Sequence, residues 1–407
     1  MHVCAFSIVN YWQNVKGGME IHGKLLSQGL TNREHRVSII STKHPDGKEV
    51  EEHEGVKIYY LRNTVFGSRR NQWIRESVRK CYELHEQDPF DVIWSQSFAA
   101  YGLTYSDRAK LAVPIIPILQ GCIRQEINSF KTNSFAGKLR SFSLFKAFSG
   151  LFYSYYRQQK PLLSISDRII TASEELIDDL SRWFGERIAT KAVPVFNSID
   201  PEVFRPNLDL RGKLRKKLGI QDDEVLLMTS GTLNKEKGHH LAIESLSHIH
   251  THLPSTKLMI VGSGEFRSSL EKQIQENGLQ ESIIFPGFIP NHEMVKYYNA
   301  ADVYLMPTLR IEGLPFVLLE AMSCAKPVVA TRTGGNTSII KDGENGFLIE
   351  PTNIKQLIHY IMMILKDDKI KTRLSESARK TILEDCNIDK MVDKTVEIIK
   401  EAIKSYE

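Results

Sequence analysis

The stretch Ile311-Glu312-Gly313-Leu314-Pro315-Phe316-Val317-Leu318-Leu319-Glu320-Ala321-Met322 decides how the rest of the chain is read. Pro315 suits the first position of a helix, where its missing N–H would have no partner anyway. The helix is expected to run through Val317, Leu318, Leu319 and Met322 and to stop near Lys326-Pro327. Glu312 and Gly313 then lie in the loop that feeds it. Such a loop offers backbone N–H groups and the positive end of a helix dipole, which together suit an anion such as a diphosphate. Gly313 has no Cβ, so a ligand can approach its backbone closely. Glu320 falls inside the helix among Leu318, Leu319, Ala321 and Met322. A carboxylate among apolar neighbours needs partners, and a sugar or ribose diol donating two hydroxyl hydrogens is one answer. Pattern alone leaves a plainer alternative of equal weight: an exposed glutamate at the helix start and a solvated one in the middle.

Working outward, the chain alternates strand-like and helix-like runs. Strands are expected at 3–8, 37–41, 56–61, 91–94, 113–119 and 168–171, with helices at 19–29, 73–85 and 174–183 between them. This alternation predicts a parallel sheet covered on both faces. The pattern is interrupted at 194–206, where prolines and the turn Asn197-Ser198-Ile199-Asp200 read as a connection between domains. A second α/β domain follows. Its strand 225–230 runs into Gly231-Thr232-Leu233-Asn234-Lys235-Glu236-Lys237-Gly238, which lacks the Lys-Ser/Thr ending of a P-loop. The strand 257–261 ends in Gly262-Ser263-Gly264. The third glycine of a dinucleotide fingerprint would fall at Arg267, which disfavours NAD. Strand 301–307 delivers the opening stretch, and 327–331 with Gly334-Gly335-Asn336 follows it. The boundaries are placed at 1–200 and 201–386, with a last helix at about 387–407.

At 407 residues the chain is long enough for two such domains. Its net charge of +4 gives no reason to expect nucleic acid as a partner, although it permits a basic patch facing an anionic surface. The five cysteines are scattered, with no Cys-x-x-Cys pair and no histidine cluster at metal-ligand spacing. Free thiols in a reducing cytoplasm are the simplest account. No apolar run approaches the ~20 residues of a membrane span, and the first residues begin a strand without a basic leader.

The string EGLPFVLLEAMSCAKPVVATRTGG, with its Glu312-x7-Glu320 spacing, resembles the donor-site signature of retaining, nucleotide-sugar-dependent glycosyltransferases of family 4. The likeness runs over nearly the whole chain and is strongest at 225–350. It implies the GT-B fold: two Rossmann-like α/β/α domains facing a central cleft, acceptor domain first, with the last helix crossing back onto it. It also implies roles. Glu320 would hold the ribose diol, and Glu312 the hydroxyls of the donor sugar. Lys237 would meet phosphate, together with the backbone of Gly313, Leu314, Pro315 and Phe316. Phe288 and Ile289 would face the nucleotide base, chiefly through backbone groups. Gly231, Thr232 and Gly262 would border the donor, and Gly17 and Gly18 would close over its phosphates from the first domain. Glycines at 17, 18, 262 and 264 are as readily explained by tight turns.

Two positions depart from the pattern. Gln120 stands where many members carry histidine and can only hydrogen-bond, so its place among the catalytic candidates with Glu312 and Lys237 is in doubt. Thr232 stands where arginine is usual, and Lys235 is a substitute source of charge. No Asp-x-Asp occurs, so no metal is expected to clamp the diphosphate, and no cofactor beyond the donor substrate is implied. The expected reaction is sugar transfer from a nucleoside diphosphate sugar to an acceptor hydroxyl. Alternatives are another GT-B enzyme, such as an epimerase or phosphorylase, and a non-catalytic sugar-nucleotide sensor.

Residues 137–160, GKLRSFSLFKAFSGLFYSYYRQQK, set Phe142, Phe145, Phe148 and Phe152 at near-helical spacing among basic residues and tyrosines. A helix with an aromatic face and basic flanks can lie in a membrane interface; core packing of an insertion explains the stripe equally well. The first reading makes 138–160 a peripheral contact with the anionic inner face of the cell membrane, with a glycan or glycolipid precursor as acceptor.

Overall fold

The computed structural model describes residues 1–13, 17–121, 150 and 152–406. Asn14, Val15, Lys16, Cys122 and the aromatic positions Phe142, Phe145 and Phe148 lie outside the described residues. The chain forms two compact units. One runs to Asn197 and takes in the last helix, Ile388–Lys404; the other holds Ser198–Asn387.

The first unit is built on eight strands: β1 (His2–Ser7), β2 (Arg36–Thr42), β3 (Val50–His53), β4 (Val56–Leu61), β5 (Val92–Gln96), β6 (Ile115–Leu119), β7 (Ile169–Thr171) and β8 (Ala192–Pro194). Their order is β3-β4-β2-β1-β5-β6-β7-β8, parallel throughout except for the β3–β4 hairpin. Strands buried on both faces read as near-continuous apolar runs, and β1, apolar from Val3 to Phe6, is buried along its whole length. Its side chains alternate between two cores. Cys4 and Phe6 join Trp73 and Leu84 on one face; Val3 and Ala5 join Leu26, Leu30, Ile398 and Ile399 on the other. The helix Ile388–Lys404 therefore completes the first unit's core. It lies against the helix Gly18–Thr31, where Gly29 leaves room for Val392 and Arg33 pairs with Asp389 at 3.0 Å and Asp393 at 2.7 Å.

β3 and β8 were not foreseen in the sequence pattern. β3 reads Val-Glu-Glu-His and is only half-buried, so it carries no apolar alternation to detect. β8 has three residues and ends in Pro194, as an edge strand can.

The second unit carries a parallel sheet of β9 (Val225–Ser230), β10 (Thr256–Val261), β11 (Ile283–Gly287), β12 (Val303–Met306), β13 (Val328–Thr331) and β14 (Phe347–Ile349), ordered β11-β10-β9-β12-β13-β14. The chain leaves β9 toward one edge of this sheet and reaches the other edge through β12. The order reverses between β9 and β12, and open α/β sheets bind ligands beyond the carboxyl ends of strands at such a point. The decisive helix spans Phe316–Ser323. Pro315 stands one residue outside it as the N-cap, with extended ψ of 127°, and the helix stops three residues before Lys326. Among the described residues no helix is long and apolar enough to cross a membrane, and the four described cysteines are buried and form no disulfide with one another.

Candidate donor site

The loops that follow β9, β10 and β12 pack backbone on backbone, and glycines make this possible. Gly231 has φ of 138° and Gly262 has φ of 143°, conformations that side-chain-bearing residues rarely adopt. A Cβ on Gly262 would strike the Gly231 carbonyl, and one on Gly264 would strike the backbone of Leu233. Packing of the loops thus accounts for the glycines at 262 and 264. Asn234 then accepts a hydrogen bond from the backbone N–H of Lys237 at 3.0 Å and starts a single turn, Lys235–Lys237.

The loop after β12 is fastened to this turn. The backbone N–H of Leu309 donates to the Glu236 carbonyl at 2.7 Å, and the Thr308 hydroxyl donates to the same oxygen at 3.2 Å. Gly238 leaves no room for a Cβ against Pro307. Three residues on, the Glu312 carboxylate meets Lys237 Nζ at 2.6 Å, both side chains being mostly buried. On its other side the Glu312–Gly313 backbone rests on Gly334 and Gly335. The Gly335 N–H donates to the Glu312 carbonyl at 2.9 Å, and Cβ atoms at either glycine would collide with this backbone. The loop is therefore held from two sides before any ligand arrives. It ends at Pro315, where the first N–H groups of the helix lack intrahelical partners.

Glu320 is 2 % exposed. Asn291 Nδ2 donates to its Oε1 at 2.7 Å, and the Tyr298 hydroxyl donates to its Oε2 at 2.7 Å. Each carboxylate oxygen keeps a second lone pair after these bonds. Burial raises the pKa of Glu320 to about 7, against the pull of both donors. An unfolded glutamate titrates near ~4.3. Below that pH both states are protonated. As pH rises the unfolded chain ionises first, so the folded protein loses stability until pH passes about 7 and the loss levels off. The full loss is on the order of 3 kcal/mol. Urea midpoints of wild type and Glu320→Gln at pH 5 and pH 8 should therefore differ in slope, the wild type falling further at pH 8. Equal pH dependence in the two proteins would remove the buried acid from the account.

Gly231, Thr232, Lys237, Gly262, Glu312, Gly313, Leu314, Pro315, Phe316 and Glu320 thus gather around the β9–β12 switch point. Phe288 and Ile289 follow β11 next to Gly287, and Phe288 is 65 % exposed. Thr232 and Lys235 are exposed. Gln120, Gly17 and Gly18 belong to the first unit. Gln120 follows β6, and its Oε1 accepts from Asn197 Nδ2 at 2.6 Å. Gly17 and Gly18 are exposed at the start of the helix Gly18–Thr31, where Glu20 folds back toward Gly17. Burial raises the Glu20 carboxyl above its usual range. Asn291 and Tyr298 were missed at the sequence level. Tyr298 reads as one more apolar residue on a buried helix face, and only the fold turns its hydroxyl toward Glu320. Among the described residues no group of three or more His, Cys, Asp and Glu side chains is placed to hold a metal.

Two units of this architecture make up the GT-B fold. The fold matches sucrose-phosphate synthase from Thermosynechococcus elongatus with a TM-score of 0.81 over 100 % of both chains at 19 % identity. It also matches Anabaena HepE, solved with UDP and glucose, with a TM-score of 0.76 over 98 % of this chain and 100 % of that one, again at 19 % identity. Residues 16–203 match the family described as Glycosyltransferase Family 4, and residues 211–381 match Glycosyl transferases group 1. By both family matches the chain is a glycosyltransferase. Similar proteins include an uncharacterized glycosyltransferase of Methanocaldococcus jannaschii, 28 % identical over 97 % of both chains. An Escherichia coli UDP-Gal:alpha-D-GlcNAc-diphosphoundecaprenol alpha-1,3-galactosyltransferase is 26 % identical over 78 % of this chain and 77 % of its own. A GDP-mannose-dependent phosphatidylinositol monomannoside mannosyltransferase of Mycolicibacterium smegmatis is 30 % identical over 48 % of this chain and 52 % of its own.

Proposed function

We propose that this glycosyltransferase moves a sugar from a nucleoside diphosphate sugar to a hydroxyl of a lipid-linked or cell-surface glycan precursor, retaining the anomeric configuration and using no metal. The observation that carries the reading is the Lys237–Glu312 pair, set at the start of the helix Phe316–Ser323 with Glu320 buried one turn further on. As the bond to the sugar breaks, negative charge grows on the departing diphosphate. Lys237 and the first N–H groups of the helix are fixed positive groups that stabilise it without reorganising. Glu312 orients the sugar through its hydroxyls. Glu320, held by Asn291 and Tyr298, takes the ribose diol with its free lone pairs, and the backbone after β11 takes the base. With the charge met by protein groups, transfer should proceed unchanged in EDTA. Incubating the enzyme with a panel of nucleoside diphosphate sugars and lipid-linked acceptors tests this. Loss of transfer in chelator, restored by Mg²⁺ or Mn²⁺, would overturn the metal-free reading.

The acceptor class is supported by a surface of the first unit. Phe152, Tyr153 and Tyr156 are exposed, between 43 % and 65 %, and Arg157 and Lys160 are exposed beside them. Large exposed rings next to cations suit a membrane interface, where the rings enter and the charges meet anionic head groups. The two relatives named for diphosphoundecaprenol and phosphatidylinositol acceptors agree with that reading. Each cation near an anionic surface contributes ~1 kcal/mol. The protein should therefore sediment with anionic liposomes and less with neutral ones, and the pair Phe152→Ser with Arg157→Glu should lower the bound fraction several-fold. Sedimentation unchanged in the pair, or none in wild type, would leave a soluble acceptor.

A further inference from the structure

We propose that Arg310 supplies the second positive charge of the donor diphosphate site, the charge that Thr232 does not provide. The inference rests on the nucleotide-sugar reading above. At the β9–β12 switch point Lys237 is already met by Glu312 at 2.6 Å, and Lys235 is exposed to solvent. A leaving diphosphate carries more negative charge than one such lysine can offset.

Arg310 lies in the right loop. Its neighbour Leu309 donates a backbone hydrogen bond to Glu236 at 2.7 Å, and Glu312, two residues on, reaches Lys237. Its own N–H donates to the Thr308 hydroxyl at 3.2 Å, the hydroxyl that is in turn bonded to Glu236. The base of the side chain is thereby pinned between two contacts to the lysine-bearing turn.

What sets Arg310 apart is that its side chain has no partner among the described residues. It is half-buried, and its Nε is shut away from solvent with no hydrogen-bond acceptor among those residues. The seven other arginines of this unit are all engaged. Arg211 and Arg215 hold Asp302, Arg267 pairs with Glu271, Arg332 with Asp342 and Arg205 with Glu202, while Arg373 and Arg379 donate to backbone carbonyls. A guanidinium cannot shed its proton to escape the cost of burial, so an enclosed, unmet Nε calls for an anion. A guanidinium presents a planar fork suited to two phosphate oxygens at once. Because the same loop carries Glu312 to Lys237 and feeds the helix start, a diphosphate is the anion of fitting charge and shape.

Calorimetric titration of UDP, GDP and ADP, each against its own nucleoside, reads this directly. For whichever base wild type binds, Arg310→Ala and Arg310→Gln should weaken the diphosphate about 10- to 100-fold, the range of a charge-assisted hydrogen bond. The nucleoside should bind as before, which also shows that the variants are folded. Adding Thr232→Arg to Arg310→Ala should recover part of the diphosphate affinity. If the ratio of diphosphate to nucleoside affinity is the same in wild type and both Arg310 variants, the role assigned to Arg310 is wrong while the donor reading stands. If wild type binds none of the diphosphates, the donor reading falls and Arg310 with it.

Discussion

Lys237→Ala should lower turnover by roughly 10²- to 10³-fold, the cost of removing one preorganised group that meets charge developing in the transition state. The lysine sits at the end of a turn fixed by Asn234 and backed by the β12 loop. Little reorganisation is therefore needed when the diphosphate departs. Because the charge grows only as the bond breaks, kcat and kcat/KM should fall together while KM moves little. Lys235→Ala is the control. Lys235 is exposed two residues away, and its loss should cost less than a factor of ten. A larger effect at Lys235 than at Lys237 would mean that the phosphate lies elsewhere on the loop.

Glu312→Ala should also act mainly on turnover, by about 10²-fold, the scale expected when a reacting centre is misplaced by an ångström. Two consequences of the structure enter here. Glu312 is proposed to hold the sugar, and it holds Lys237 in place when no donor is bound. The two residues therefore act as a unit, and the double variant should cost little more than the worse single one. Strict additivity of the two losses would show that the ion pair has no part in the reaction. Tighter donor binding with lower kcat in Glu312→Ala would have a different meaning: that the carboxylate strains the bound donor.

The class of fold was legible because each parallel strand is a near-continuous apolar run, as in β1 and β12, and because helices alternate with the strands. The hairpin strand β3 was not, since Glu51, Glu52 and His53 look like a loop and only pairing with β4 makes them a strand. In the site, residues whose chemistry is unusual for their surroundings could be read from the chain. Glu320 in an apolar helix and Gly313 before Pro315 are of this kind. Residues whose role depends on what the fold brings beside them could not. Asn291 and Tyr298 acquire theirs from contact with Glu320, 29 and 22 positions away. Gly334 and Gly335 acquire theirs from Glu312 and Gly313, whose backbone they touch. Arg310 is of this second kind, because its Nε is enclosed and, among the described residues, unmatched.

The measurement that bears most directly on the account follows one reaction by ¹H and ³¹P NMR, with a nucleoside diphosphate sugar, a lipid-linked glycan acceptor and EDTA present. The account predicts that nucleoside diphosphate appears in step with a new glycosidic linkage, and that the linkage carries the anomeric configuration of the donor. Release of nucleoside diphosphate with no linkage, a linkage of inverted configuration, or conversion of the donor sugar without acceptor would contradict it.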